Sequence, residues 1–240
     1  MKKLILATAL VALSGGFAAA QTVRLGTEGA YPPYNFINDA GEVDGFERKL
    51  GDELCKRASL TCEWVTNEWD SIIPNLQSGN YDVIIAGMSI TDEREEVIDF
   101  SQNYIPPANS AYLALTADAD VKTGAVAAQV STIQAGYVAE SGATLMEFAT
   151  PDETVAAVRN GEAVAVFADK DYLAPIAAES NGELVLLAEE VPLGDGVGLG
   201  LRESDTELKG KLDAAIQSMK DDGSLNKLIV EYFGPAALVF

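Results

Sequence analysis

The chain of 240 residues contains no histidine and only two cysteines. Histidine is the usual base of a Ser-His-Asp triad and the commonest general acid–base residue, so its absence argues against the usual hydrolytic mechanisms. With no histidine and no third cysteine, the chain also lacks the ligands of an ordinary zinc site. We therefore expect a protein that works without a metal and without a cofactor.

A hydrophobic run long enough to span a bilayer is also missing, because the apolar stretch at 4–13 is too short for that. It follows the basic start Lys2-Lys3 and precedes the small residues 18–20. This order is typical of a signal peptide. We expect residues 1–20 to be removed by cleavage near Ala20/Gln21, which would leave an exported, soluble protein.

Basic residues are scarce, with 16 Lys and Arg against 37 Asp and Glu, a net charge of −21. Cleavage of the signal peptide would leave 14 basic residues and a net charge of −23. So acidic a chain argues against nucleic acid and against anionic lipid as partners. Because an exported protein meets an oxidising compartment, we expect Cys55 and Cys62, with six residues between them, to form a local structural disulfide.

Apolar runs and helical periodicities alternate along the first hundred residues. We predict strands at 22–27, 61–66 and 82–85, with helices at 46–58 and 70–78, the second capped by Asp70. This β-α-β-α-β order implies a parallel sheet with right-handed crossovers. Residues 28–34 are predicted as a loop and 38–41 as a turn. Further strands are predicted at 97–100, 110–115, 126–130, 184–187 and 197–201. Further helices are predicted at 150–160, which begins with a capping box of Thr150 and Glu153, and at 204–222 and 224–233.

The stretch 86–94, Ala-Gly-Met-Ser-Ile-Thr-Asp-Glu-Arg, directly follows the strand predicted at 82–85. Strand carboxyl ends are where open α/β sheets bind ligands, and a helix start at Thr91 favours negative charge. Arg94 adds a permanently charged fork that fits a carboxylate. The stretch thus predicts a receptor for a small anionic group. The alternative is a plain strand-to-helix turn with Arg94 in a surface ion pair.

A second helix–glycine–strand unit echoes the first. Residues 154–161 lead into an apolar run that ends at Asp169, as 72–79 lead into the run that ends at 85. The echo favours two similar α/β lobes, although any two α/β units share this order. Two crossing segments, near 105–109 and 192–197, would form a hinge. We expect lobe 1 to span 21–108 and 196–240, and lobe 2 to span 109–195.

Several motifs together resemble those of periplasmic solute-binding proteins, family 3, which serve ABC importers for polar and cationic amino acids. This group includes lysine/arginine/ornithine, histidine, arginine and glutamine receptors. The motifs are GTEGAYPPY at 26–34, GFE at 45–47, WDSIIPNL at 69–76, AGMSITDER at 86–94, DFS at 99–101, GVGLGLR at 196–202 and DDGS at 221–224. Cys55 and Cys62 also match a disulfide of the cationic branch.

The resemblance implies a two-lobed α/β fold of the Venus-flytrap type, with two crossing segments as the hinge and one amino acid in the cleft. It further implies a monomer in the periplasm that is not an enzyme and whose partner is the membrane permease of an ABC importer. Ten residues match ligand-binding positions of the family: Glu28, Tyr31, Trp69, Ala86, Gly87, Ser89, Arg94, Ser131, Thr132 and Asp169.

The roles carried over divide between the two ends of an amino acid. Arg94 matches the residue that grips the α-carboxylate, with a second contact from Thr132, which follows Ser131. Asp169 matches the acid that pairs with the α-ammonium group. Ser89 contacts the same group, aided by the backbone at 86–87. Glu28 matches an acid facing the ligand's side chain, and Tyr31 and Trp69 match the aromatic residues that sandwich that side chain.

A carboxylate with aromatic faces suits a cation. The expected ligand is therefore arginine, then ornithine, lysine or histidine. A polar neutral amino acid such as glutamine is the alternative, because an acid can also accept a hydrogen bond from an amide. A function of another class is a dehydratase of the same fold that acts on a small carboxylate, with Glu28 and Asp169 as its acid–base pair.

Overall fold

The computed structural model describes residues 22–240, so the predicted signal peptide and its cleavage site lie outside the described residues. The strands are β1 Val23–Thr27, β2 Ala30–Tyr31, β3 Asn35–Ile37, β4 Val43–Asp44, β5 Cys62–Thr66, β6 Val83–Ile84, β7 Asp99–Phe100, β8 Asn109–Ala114, β9 Ala125–Gln129, β10 Thr144–Phe148, β11 Ala165–Asp169, β12 Val185–Pro192 and β13 Gly200–Leu201. The helices are α1 Phe46–Arg57, α2 Ile72–Gln77, α3 Asp92–Glu95, α4 Ile133–Ser141, α5 Pro151–Arg159, α6 Lys170–Glu179, α7 Thr206–Asp221 and α8 Ser224–Phe233.

The first of two five-stranded sheets has the order β5-β1-β6-β13-β7. Strands β5, β1 and β6 are parallel, which confirms the predicted β-α-β-α-β unit, while β13 is antiparallel to its two neighbours. Helix α1 packs on this sheet and contacts α7 and α8. A small antiparallel sheet of order β2-β3-β4 lies beside it, where we expected only loop and turn.

The second five-stranded sheet has the order β10-β9-β11-β8-β12 and is built from residues between 109 and 192. Strands β10, β9 and β11 are parallel, whereas β8 runs antiparallel to both β11 and β12. Helix α5 begins at the predicted capping box, in which the Thr150 hydroxyl accepts from the Glu153 amide and the Glu153 carboxylate accepts from the Thr150 amide. The two sheets confirm the two-lobed α/β fold. We call the lobe with the first sheet lobe 1 and the other lobe 2.

The chain passes between the two sheets twice, after β7 and after β12, and the two passages pair with each other. Ile105 and Val197 form an antiparallel bridge, and the Tyr104 amide donates to the Val197 carbonyl at 2.7 Å. Val197 also bridges to Ser89, in the stretch singled out from the sequence. The passages thus run directly behind that stretch.

Some elements differ from the predictions. Residues 70–78 are not one helix capped by Asp70, because a 3-10 turn at Trp69–Ser71 precedes α2. The strand predicted at 197–201 shrinks to β13, since Val197 is used in the pairing of the passages. Strand β10 and helix α6 were missed. A proline inside α6, Pro175, obscures its helical pattern.

The predicted disulfide is present between Cys55 and Cys62, with an S–S distance of 2.00 Å. It ties the last turn of α1 to the first residue of β5. Among residues 22–240, no helix is long and apolar enough to cross a membrane.

Candidate functional site

A cavity lies between the two lobes and encloses about 490 Å³ free of protein atoms, part of it open to solvent. Nine of the ten predicted site residues line it, and Ser131 does not. The lining from lobe 1 is Glu28, Tyr31, Trp69, Ala86, Gly87, Ser89 and Arg94; that from lobe 2 is Gln129, Thr132, Ile133, Gln134, Pro151, Thr154, Phe167, Ala168, Asp169 and Tyr172. The fold therefore brings together, around one cavity, predicted residues that are distant in the chain.

Arg94 is half-buried in α3, whose first turn is capped by the Thr91 hydroxyl. Its Nη1 donates to the Ser89 carbonyl at 2.8 Å, and its guanidinium lies 5.4 Å from the ring centroid of Trp69. Burial lowers the pKa of Arg94 to about 10, opposed by the negative charges of Asp169 and Glu93. The guanidinium is therefore cationic at neutral pH and held over an aromatic face.

Gly87 lines the cavity with φ at +63°, in the left-handed region that favours glycine. Its amide donates at 2.6 Å to Oε1 of Glu47, which is completely buried. That carboxylate also accepts from the Tyr104 hydroxyl and from Asn35 Nδ2. The Gly87 amide is thus engaged behind the cavity, where it cannot bind a ligand. Glu47, known from the sequence only as part of a motif, fixes this turn to the first passage between the lobes.

Asp169 ends β11 at the lobe 2 wall, and both of its carboxylate oxygens are held. Oδ2 accepts from the Tyr31 hydroxyl at 2.8 Å, a contact between the lobes, and Oδ1 accepts from Gln134 Nε2 at 3.0 Å. Burial raises the pKa of Asp169 to about 6, although the hydrogen bond from Tyr31 and the charge of Arg94 oppose the rise. Asp169 is therefore largely ionised at pH 7 and lies within the electrostatic influence of Arg94.

Glu28 lies at the end of β1 and makes a second contact between the lobes. Its Oε1 accepts from Gln129 Nε2 at 2.6 Å, and Gln129 also donates to the Ala149 carbonyl at 3.0 Å. Burial raises the pKa of Glu28 to about 7, which the hydrogen bond from Gln129 opposes. The cavity thus contains two acids with raised pKa values, one arginine and no second basic residue among the described lining residues.

The two aromatic residues expected around the ligand's side chain have different surroundings. Trp69 is buried, and the Arg94 guanidinium lies over its ring. The Trp69 Nε1–H donates to the Ser131 carbonyl at 3.3 Å. Tyr31 stacks on Tyr172 of lobe 2, with ring centroids 4.3 Å apart. One face of the Tyr31 ring is therefore covered by Tyr172, and a sandwich of the ligand's side chain between Tyr31 and Trp69 stays a prediction.

Ser131 and Thr132 precede α4. Thr132 is the N-cap, so its hydroxyl accepts from the Ala135 amide at 3.1 Å and donates to the Gln129 carbonyl at 2.7 Å. Ser131 is exposed, with φ at +59°, and reaches lobe 1 only through its carbonyl. The structure therefore places Thr132 in the cavity wall and the Ser131 side chain outside it.

Four residues of the site were missed as functional residues: Gln129, Gln134, Tyr172 and Glu47. Gln129 ends β9 in the way that Asp169 ends β11, so the polar residue at a strand end was a usable signal. Gln134 and Tyr172 follow in the first turns of the helices after these strands. The hydrogen bond from Gln134 to Asp169 and the stack of Tyr172 on Tyr31 have no signature in the local sequence.

The arrangement suits an amphoteric molecule, because a fixed cation and a fixed acid face one cavity from opposite lobes. In the part of the chain that the structure describes, no cluster of three or more His, Cys, Asp or Glu residues could hold a metal ion.

Two α/β lobes around a charged cleft define the class of two-lobed binding proteins. The chain belongs to the bacterial extracellular solute-binding proteins, family 3, whose family model matches residues 23–235.

Three proteins illustrate the similarity of this chain to other amino-acid-binding proteins. The lysine/arginine/ornithine-binding periplasmic protein of Escherichia coli (strain K12) is 31% identical, with 97% of each chain covered. A solved structure of a periplasmic His/Glu/Gln/Arg/opine family-binding protein from Silicibacter pomeroyi, in complex with lysine, is 74% identical with a TM-score of 0.90. It covers 91% of this chain and 100% of that one. An ancestral amino acid-binding protein described as a precursor of cyclohexadienyl dehydratase is 30% identical with a TM-score of 0.79, covering 88% and 95%.

Proposed function

We propose that this protein is an extracytoplasmic receptor that binds a cationic amino acid between its lobes and delivers it to the permease of an ABC importer. The observation that carries the proposal is the placement of Arg94 and Asp169 on opposite walls of one cavity, with Glu28 as a second acid. A zwitterion with an additional positive charge matches these three groups.

The main-chain groups of the ligand would join the two lobes. An α-carboxylate would pair with the Arg94 guanidinium, and an α-ammonium group would pair with Asp169. Burying either charge alone is costly, whereas pairing both offsets the cost. A ligand that does so binds the closed arrangement better than an open one, which is the condition for a ligand to drive closure.

The side chain of the ligand would point to Glu28. An ionised Glu28 favours an ammonium or guanidinium group, and the Trp69 face adds a cation–π contribution on the order of 0.5–2 kcal/mol. The relative in complex with lysine and the lysine/arginine/ornithine-binding relative support this preference. We therefore put lysine beside arginine, the first expectation from the sequence. Glutamine remains the second candidate, because Glu28 can also accept from an amide.

A thermal-shift screen of the purified protein with the twenty amino acids tests the proposal. A ligand present at 100 times its Kd stabilises the folded state by about 2.7 kcal/mol. In a chain of this size that raises Tm by roughly 5–10 °C. We expect such shifts with lysine and arginine and small shifts with aspartate and leucine. A screen in which no amino acid raises Tm would refute the proposal.

A dehydratase is the candidate of another class, supported by the likeness to the dehydratase precursor, itself described as an amino acid-binding protein. Glu28 and Asp169 have pKa values near the range of acid–base catalysts. However, Tyr31 and Gln134 engage both oxygens of Asp169, and Gln129 engages one oxygen of Glu28, so the two acids are held in contacts within the protein rather than as a free acid–base pair. Turnover of a cyclic carboxylate together with no binding of amino acids would favour the enzyme.

The remaining expectations belong to the same proposal. Residues 1–20 would be a signal peptide, lobe 1 would comprise 21–108 and 196–240, lobe 2 would comprise 109–195, and the mature protein would be a periplasmic monomer. Mass spectrometry of the protein recovered from the periplasm would show a new N-terminus at Gln21. Loss of the encoding gene would reduce uptake of radiolabelled lysine by whole cells.

A further inference from the structure

The hydroxyl of Tyr172 is buried in the cavity wall without a hydrogen-bond partner among residues 22–240. Tyr172 is 1% exposed and lies in the first turn of α6, three residues after Asp169. Buried polar groups are nearly always paired, and leaving one unpaired costs about 1–3 kcal/mol. This hydroxyl therefore needs an explanation beyond its local packing.

Packing alone would not require a tyrosine at this position. The ring of Tyr172 stacks on Tyr31 with an interplanar angle of 16°, and a phenylalanine would make the same stack. Thr27 also has a buried and unpaired hydroxyl, but Thr27 does not line the cavity. Tyr172 combines the unpaired hydroxyl with a position in the wall of the proposed binding site.

Tyr172 and Glu28 line the cavity from opposite lobes. Burial raises the pKa of Tyr172, the negative charges of Asp152 and Glu28 raise it further, and the positive charge of Arg159 opposes the rise. Lobe 2 also contributes Gln129 to the lining, and its amide already donates to Glu28. Among residues 22–240, no group donates a hydrogen bond to the Tyr172 oxygen.

We propose that Tyr172 is a specificity-determining residue whose hydroxyl, together with Glu28, accepts hydrogen bonds from the terminal nitrogen of the ligand's side chain. The inference rests on the proposed function. An ammonium group carries three N–H donors and a guanidinium five, so either can serve two acceptors at once. A ligand without a terminal donor leaves the hydroxyl unpaired and gains no affinity from it.

The experiment is Tyr172→Phe, which keeps the ring and its stack on Tyr31 and removes only the hydroxyl. Affinities for lysine and for norleucine, which lacks the terminal nitrogen, are measured by calorimetry, with norleucine as a competitor of lysine. We expect the Kd for lysine to rise about tenfold or more, while the Kd for norleucine stays within twofold. The preference for lysine over norleucine would fall accordingly.

Tyr112→Phe is the matched control. Tyr112 is a buried tyrosine of lobe 2 stacked on Phe167 at 4.3 Å, and it does not line the cavity. Its variant should bind lysine as the wild type does. Removal of an unpaired hydroxyl should also leave the Tm of ligand-free Tyr172→Phe unchanged or raised. A lower Tm with unchanged lysine affinity would show instead that the hydroxyl holds a structural water.

The outcomes separate this inference from the proposal on which it rests. If the wild type binds no amino acid, the proposed function fails and the inference fails with it. If the wild type binds lysine and Tyr172→Phe binds it equally well, only the inference is overturned. A loss of affinity that is the same for lysine and norleucine would also overturn it, because the hydroxyl would then not read the terminal nitrogen.

Discussion

Replacing Arg94 by alanine should weaken the binding of every accepted amino acid. The guanidinium lies over Trp69 and is fixed by a 2.8 Å hydrogen bond to the Ser89 carbonyl, so it is oriented before a ligand enters. Removing one partner of a buried, hydrogen-bonded charge pair costs about 2–5 kcal/mol. Because Arg94 is only half-buried, we expect the lower part of that range, about 3 kcal/mol, which is roughly a hundredfold increase in Kd.

Calorimetric titration of wild type and variant with lysine and arginine measures this change, and circular dichroism checks that the variant folds. Arg48 provides the matched control, because it also lies over a tryptophan, Trp64, at 5.7 Å, and pairs with Asp52, yet it does not line the cavity. Arg48→Ala should leave both Kd values within twofold. A Kd for Arg94→Ala within threefold of the wild type would refute the assignment of the carboxylate to Arg94.

Three other predictions concern the acids. Glu28→Gln should reduce the affinity for lysine and arginine more than that for glutamine. If calorimetry gave the same order of affinities for the three amino acids as in the wild type, Glu28 would not determine selectivity. The pKa values of Glu28 and Asp169, about 7 and about 6, lie above the usual values near 4. Between about pH 4 and about pH 7 the folded protein therefore binds more protons at these two acids than the unfolded protein does. The two acids should make the Tm of the ligand-free protein fall as pH rises through this range. In the Glu28→Gln, Asp169→Asn double variant the Tm should fall less between about pH 4 and about pH 7. A pH profile of Tm identical to that of the wild type would contradict the assignment to these two acids. Glu47→Gln should lower Tm by roughly 4–8 °C, because the new amide meets donors where the carboxylate accepted them, at a cost of about 2 kcal/mol. A Tm within 1 °C of the wild type would contradict that role.

The elements predicted best were those with strong local chemistry. The capping box at Thr150 and Glu153 determined the start of α5, and the apolar run before Gly87 determined a buried parallel strand. Where local and nonlocal interactions compete, the prediction was less accurate. Val197 lies in the segment predicted as a strand at 197–201. It instead forms isolated bridges to Ser89 and to Ile105, where the chain passes between the lobes.

The same distinction holds for the site. Arg94 and Asp169 could be found because each follows a recognisable strand, and the family resemblance supplied their expected roles. The contact from Gln129 to Glu28 joins residues 101 positions apart, and that from Tyr31 to Asp169 joins residues 138 positions apart. No local pattern specifies such pairs, because they depend on how the two lobes close. The stack of Tyr31 on Tyr172 was missed for the same reason.

The central claim, that the cavity binds both ends of a cationic amino acid, is tested most directly by titrating the wild-type protein with lysine, cadaverine and norleucine. Cadaverine is lysine without the carboxylate that would pair with Arg94, and norleucine is lysine without the terminal nitrogen that would face Glu28. We predict micromolar or tighter binding of lysine and at least a hundredfold weaker binding of each analogue. Equal affinity for lysine and cadaverine would contradict the role of Arg94, and equal affinity for lysine and norleucine would contradict the preference for a cation.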